Sequence, residues 1–294
     1  MYNKNIIIAA LARDCEESLR INIPVIEKLR TQISWSQVVV VENDSIDGTK
    51  DVLNDWKINS KNVAIISNDY GGKTIPDKSD LIKNPMTSYQ RIDKMVFYRN
   101  LYLDHIKEIK HPIDLVIIID IDVLEISLAG LMDVINSFDD KTGAVFANGI
   151  SVMKTPLGLS EIYYDTFAVW EYPISNDFSY STDSLARTFK SINKNVKKSP
   201  LYPVISAFGG VGVYNYQAIK NLRYKTVLNP LNRQEAICEH IPFHQEIIKQ
   251  GFENYIARDF KVIYETHNLT LLLKQVLPIK VFNFLYPFLL KIKK

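Results

Sequence analysis

The chain has 294 residues, 47% hydrophobic and 23% charged, with 11 Gly and 12 Pro, which excludes a disordered, collagen-like or disulfide-stapled class. At this length folding buries roughly 75% of the surface of the unfolded chain, so a core alone can hold one large domain and any metal would serve chemistry. Lys plus Arg number 35 against 33 Asp plus Glu, and the resulting charge of +2 provides no basic field for holding nucleic acid. Cys15 and Cys238 lie far apart without a Cys-x-x-Cys, which fits a reducing compartment and two small buried residues.

The first apolar run, residues 6–11, is stopped by Arg13-Asp14. It is too short for a secretory segment and reads as a buried strand, so the protein is expected to stay in the cytoplasm. Residues 16–33 place Leu19, Ile23, Ile26 and Leu29 or Arg30 at helical intervals around Pro24. Strands are expected at 38–41, 63–66 and 115–119, with a short helix over 48–56. Strands apolar on both sides, separated by crossover helices, predict an α/β fold with a largely parallel sheet. Residues 68–87 read as an irregular loop, a kind that is often functional. The helix expected over 89–109 carries Ile92, Met95, Val96, Leu103 and Ile106 on one face, and Arg99 falls within that stripe. An inward guanidinium needs an anion, either a structural carboxylate or a bound phosphate or base.

The strand at 115–119 runs into Asp120-Ile121-Asp122, where ligands bind in open α/β sheets. Two crowded carboxylates suit a hard divalent ion, Mg2+ or Mn2+, shared with a diphosphate. The alternative is that one Asp caps a helix starting near Ser127 while the other is solvated. Val38 to Val41 is followed by Glu42-Asn43-Asp44-Ser45-Ile46-Asp47-Gly48-Thr49, whose acceptors can read a nucleoside; Ser45 or Asp47 can also cap the next helix. Later come a strand at 143–148, an aromatic stretch at 163–180, a polar loop to Lys198, a strand-like run at 204–214, a helix opening at Cys238-Glu239-His240-Ile241-Pro242, and a strand at 260–264 before His267.

Glu42 to Thr49 resembles the acidic Asp-Asp-Gly-Ser-x-Asp-Gly-Thr turn of GT-A glycosyltransferases, and Asp120-Ile121-Asp122 resembles their DxD. Arg99-Asn100 is similar to the Ala-Arg-Asn segment of family 2-like members. Glu42 to Ser45, with Tyr164-Asp165-Thr166-Phe167, resembles the capsule-associated α-mannosyltransferases. The likeness covers about residues 5–270. It implies a Rossmann-like, single-domain GT-A fold over 1–268, with a nucleotide-binding half (1–125) and an acceptor half (126–268). Carried over by motif, Ala9, Leu11, Arg13 and Arg99 line the nucleotide site, while Glu42 and Asp44 approach base and ribose. Asp120 and Asp122 hold the metal-diphosphate, with His267, or its rival His244, as third ligand. Gly209 and Gly210 let backbone approach the donor sugar; the alternative is a tight corner. Many inverting members have Glu-Asp where this chain has Glu239-His240; Glu239 is then the acceptor's base or holds a sugar hydroxyl, the alternative being a capping or salt-bridge role. Asp165, Trp170 and His240 are expected at the acceptor, although the aromatic residues there also suit a core.

The implied function is metal-dependent transfer of a single sugar from a nucleotide diphosphate sugar to a glycan or lipid-linked acceptor, for surface polysaccharide. No Gln-x-x-Arg-Trp surrounds Trp35, Trp56 or Trp170, which argues against a processive synthase. The rivals are a nucleotidyltransferase of similar fold, whose basic Gly-rich signature Leu11-Ala12-Arg13-Asp14 lacks, and a catalytically silent sugar- or lipid-binding protein. Residues 269–294 form an amphipathic tail in which apolar residues such as Leu272, Val276, Val281 and Leu285 alternate with Lys274, Lys280, Lys291, Lys293 and Lys294. That pattern suits an interfacial helix on the inner face of the cytoplasmic membrane, a tail packed on the domain, or a dimer contact.

Overall fold

In the computed structural model, residues 2–79, 82, 84–156, 158–172 and 182–292 are described. The apolar runs of the first half form β1 (Tyr2–Ala12), β2 (Ile33–Asn43), β3 (Val63–Asn68) and β4 (Leu115–Asp120), all parallel in the order β3-β2-β1-β4. Ile6 and Ile8 join Ile117 in one core and Ile7 and Ala9 join Val116 and Ile118 in the other, so the sheet is buried on both sides. Three helices make the coverings: α1 (Glu16–Arg30), α2 (Thr49–Asn59) and α3 (Tyr89–Glu108). Leu19, Ile26 and Leu29 of α1 and Val52, Leu53 and Trp56 of α2 pack on one face. Tyr98, Tyr102, Leu103 and Ile106 of α3 pack on the other. The Ser88 hydroxyl starts α3 by accepting the Arg91 N–H at 3.3 Å.

The second half contains β5 (Glu125–Ile126), α4 (Leu128–Ser137), β6 (Thr142–Thr155), β7 (Gly158–Tyr163), α5 (Thr182–Asn195), β8 (Leu201–Val204), β9 (Val211–Asn215), α6 (Tyr216–Ile219), β10 (Val227–Asn229), β11 (Asn232–Ile237), α7 (His240–Lys249), β12 (Glu253–Thr266), α8 (Leu269–Val276) and α9 (Ile279–Ile292). Among the described residues ten strands share one sheet, with the path continuing β4-β9-β6-β12-β5. β9 runs antiparallel to both β4 and β6, while β12 runs parallel to β6. One sheet therefore spans both halves of the chain.

Two local expectations are corrected, and one alternative is removed. The polar stretch before Lys198 is not a loop from Thr182 onward; Phe189, Ile192 and Val196 are buried at helical spacing and draw α5 and the turn after it onto the domain. Residues 173–181 of the aromatic stretch lie outside the described residues. The run at 204–214 is two strands, separated by a turn in which Gly209 and Gly210 have φ of 63° and 88°. The helix at Ser127 is capped by Ser127 itself, which accepts the Gly130 N–H at 3.2 Å, so neither Asp120 nor Asp122 is used as its cap. Cys15 and Cys238 are buried and unbridged. Among the described residues no helix is long and apolar enough to cross a membrane.

Candidate active site

The carboxyl ends of β1, β2 and β4 open onto a cavity of about 310 Å³, closed on the far side by the turn after β7, the Phe208 turn and the start of α7. Asp120 ends β4, and its backbone N–H donates to Gly210 O at 2.8 Å. Asp122 lies at the exposed rim, its Oδ2 accepting the Tyr264 hydroxyl at 3.4 Å. Tyr264 in turn stacks on Tyr164, with ring centroids 3.8 Å apart. The turn between the two acids is held from below by Asn22. This fully buried residue of α1 donates both amide hydrogens, one to Ile121 O at 2.9 Å and one to Val123 O at 2.8 Å. Asn22→Ala leaves those two carbonyls without their donor; a stability loss of about 1–3 kcal/mol is expected in urea titration.

Burial pushes the Asp120 carboxyl up to about 7, with Arg99 opposing and the nearby Asp122, Asp165 and Glu239 charges adding to the rise. Asp122 is exposed at the rim, but desolvation on the side facing the cavity raises its carboxyl too, and burial raises Asp165, although the Gly209 and Ala168 N–H groups bond it, each at 3.3 Å. The counter-charge is Arg99. Its Nε donates to Glu239 Oε1 at 2.9 Å and its Nη2 lies 3.6 Å from Asp120 Oδ1, while the guanidinium sits 5.4 Å from the Phe208 ring centre. Burial alone would lower the Arg99 pKa, but Tyr102, Glu239, Tyr224 and Asp120 raise it further, so the group stays charged.

Glu239 sits at the N-cap position of α7 without bonding the helix N–H groups. Its Oε2 accepts from the Cys238 thiol at 3.8 Å. His240 stacks on Phe208 at 4.1 Å, and neither ring nitrogen has a hydrogen-bond partner among the described residues. Burial, with Arg99 and His244 nearby, lowers its pKa well below the ordinary value and keeps it neutral. At the mouth, Arg13 donates to Gly72 O and Thr74 Oγ1, both at 2.9 Å, and so ties the loop after β3 across the cavity.

The family model described as Cryptococcal mannosyltransferase 1 matches residues 5–246. The chain belongs to this mannosyltransferase family. No curated protein matches it. Among solved structures it is similar to the mannosyltransferase PcManGT from Pyrobaculum calidifontis in complex with GDP-Man and Mn2+, at 15% identity and a TM-score of 0.48 over 90% of this chain and 57% of that one. S. aureus TarS 1-349 is also similar, at 13% identity and a TM-score of 0.46 over 89% of this chain and 60% of that one. This chain thus spans less than two thirds of the length of either structure.

In this mannosyltransferase-family chain, Leu11, Arg13, Arg99, Asp120, Asp122, Asp165, Glu239 and His240 share one cavity. The other expected site residues sit elsewhere. Ala9 is fully buried between Val39 and Ile118, two residues deeper in the sheet than Leu11. Glu42, also fully buried, accepts the Ser45 N–H at 2.9 Å and the Ser67 hydroxyl, and so holds its own turn together rather than facing the cavity. The neighbouring Asn43 is on the wall instead. Asp44, at φ 51°, borders an adjoining open cleft with Arg13, Lys50 and Lys73. Burial would raise its carboxyl, but bonds from the Asn43 amide and the Gly71 and Tyr70 N–H groups, with Arg13 nearby, lower it.

Asp47 accepts the Thr49 N–H at 3.0 Å and the Glu16 N–H at 3.1 Å, serving the starts of α2 and α1. At Gly209 a Cβ would collide with Ala147 O and lie 2.8 Å from Gly149 N; at Gly210 it would lie 3.0 Å from Val123 Cγ1. These glycines form a tight corner packed against protein, and their backbone serves Asp165 and Asp120. Trp170 packs against the core and pairs its backbone with Ser206, away from the cavity wall. Of the expected third ligands, His244 is fully buried and engaged by Ser206 Oγ at 2.9 Å and Tyr214 OH at 3.0 Å. His267 pairs with Ser151 Oγ at 3.1 Å, and among the described residues no three His, Cys, Asp or Glu side chains are grouped to hold a metal. His267 is therefore not brought to the two aspartates. Tyr98 lines the cavity although no motif indicated it, its only signal being that it is adjacent to Arg99 in sequence; Asn22, which holds the turn from below, carries no signal of its own.

Proposed function

We propose that this chain is a metal-dependent glycosyltransferase that moves one sugar, mannose by family, from a nucleotide diphosphate sugar to a glycan or lipid-linked acceptor in surface polysaccharide synthesis, working in the cytoplasm or at its membrane face. The observation that carries this reading is the gathering of Asp120, Asp122, Arg99 and Glu239 around one cavity at the strand ends. The donor set fits Mn2+ or Mg2+: two carboxylates that burial drives toward the neutral form gain from a cation, and such ions are commonly held by one or two carboxylates plus substrate phosphates. When bound, such an ion would neutralise charge developing on the leaving diphosphate. Asp120 and Asp122 would hold the ion; Arg99 keeps Glu239 in place by an ion pair at 2.9 Å; Glu239 Oε2 would accept the proton lost by the acceptor hydroxyl as its oxygen bonds the sugar carbon and the nucleoside diphosphate leaves, or would hold a sugar hydroxyl by a hydrogen bond. Arg13, Asn43 and Asp44 serve the nucleoside.

A thermal-shift panel of UDP, GDP, CDP and dTDP with Mn2+, Mg2+ or EDTA tests the reading. One of the four nucleotides is expected to stabilise the protein only with metal, by about 2.7 kcal/mol at 100 times its Kd. Absence of any metal-dependent shift at millimolar nucleotide overturns it. The same site predicts a pH effect. Since burial and the neighbouring acids push the Asp120 carboxyl up to about 7, protons compete with an ion for it below that pH and not above. Apparent Mn2+ affinity, measured by calorimetry, is expected to fall on the order of tenfold from pH 8 to pH 6.

A further inference from the structure

Residues 266–294 contain no Asp or Glu and carry five lysines, at 274, 280, 291, 293 and 294. α8 and α9 meet at Pro278 and are tied to the domain by Phe282, which is buried, and by Lys190 of α5, which donates to Leu277 O at 3.5 Å. Their outer side is apolar: Leu269 is 57% exposed, Val276 59%, Phe284 72% and Tyr286 41%. A second copy meeting this face isologously would set lysines against lysines. Anionic headgroups over an acyl boundary complement both the lysines and the apolar side chains. The location adds to the argument. Tyr264, whose hydroxyl meets Asp122, lies roughly five residues before α8, at most ~18 Å of chain.

We propose that α8 and α9 dock on an anionic bilayer and hold the cavity beside a lipid-linked acceptor. The acceptor part rests on the glycosyltransferase reading; the docking part does not. The test is co-sedimentation of the full chain with phosphatidylcholine vesicles, pure or with roughly one-third phosphatidylglycerol. Wild type is expected to bind the anionic vesicles at least about tenfold more tightly, and Val276→Glu/Phe284→Glu to lose about tenfold or more of that binding. Lys274→Glu/Lys280→Glu should abolish the preference for anionic lipid. Asp122→Ala should sediment like wild type. Circular dichroism confirms that the tail variants are folded.

Docking is overturned if wild type ignores anionic vesicles, if Val276→Glu/Phe284→Glu binds unchanged, or if that variant only splits a dimer while vesicle binding persists. Vesicle binding by a protein that shows no nucleotide shift would overturn the acceptor part and leave the docking part standing.

Discussion

Arg99→Met is expected to lower stability by about 3–5 kcal/mol, read as a shift in the urea midpoint at unchanged slope. The guanidinium is 3% exposed, yet it lies within reach of Glu239 and Asp120, and no other cation is paired with either carboxylate among the described residues. Removing it leaves both carboxylates without their counter-charge. Arg99→Met/Glu239→Leu should regain part of the loss, because one orphaned carboxylate goes with it, and should remain inactive. A double variant as unstable as the single one would mean that Arg99 acts through its stacking on Phe208 and Tyr224 instead.

Asp122→Ala is expected to have the opposite signature. Transfer activity should fall about 10²–10³-fold or more, the loss typical of removing one electrostatic group at a reacting centre, and the metal-dependent nucleotide shift should disappear. Stability should hold or rise slightly. The side chain is at the rim, its hydrogen bond from Tyr264 is long at 3.4 Å, and its charge raises the pKa of Asp120. Thermal melts without metal, beside product assays with it, separate the two effects. A variant that melts early and keeps its metal-dependent shift would remove Asp122 from the proposed metal site.

Much of this arrangement was legible in the sequence, and the remainder was hidden for physical reasons. β1, β2 and β4 stand out because strands covered on both faces read as continuous apolar runs, and the acids after β4 follow directly from its end. Glu42 and Asn43 show where a motif stops being informative. Neighbours on a strand point to opposite faces, so the cavity receives Asn43 while Glu42 is used inside the turn. Ala9 has a similar explanation: two residues back along a strand is more than 6 Å deeper, beyond reach of a cavity at the strand end. α5 was obscured by its many Lys, Asn and Ser residues, which cover a narrow stripe of buried side chains. Asn22 left no trace because a helix residue that clamps two backbone carbonyls of a distant turn imposes no pattern on its own segment.

The position of β9 bears on how the protein is made. β4 pairs with β1 early in the chain, but its other edge is covered by Val211–Asn215, far later in the chain, and β6 waits for the same strand. During synthesis the parallel block therefore leaves the ribosome with an apolar, unpaired edge that persists while the whole segment from Glu125 to Gly210 is translated. Such edges recruit other chains before they find their own partner. Production of this protein would then depend on translation rate and chaperone supply more than its final stability suggests, and fragments ending before Val211 would be expected to accumulate as aggregates rather than as a free amino-terminal half.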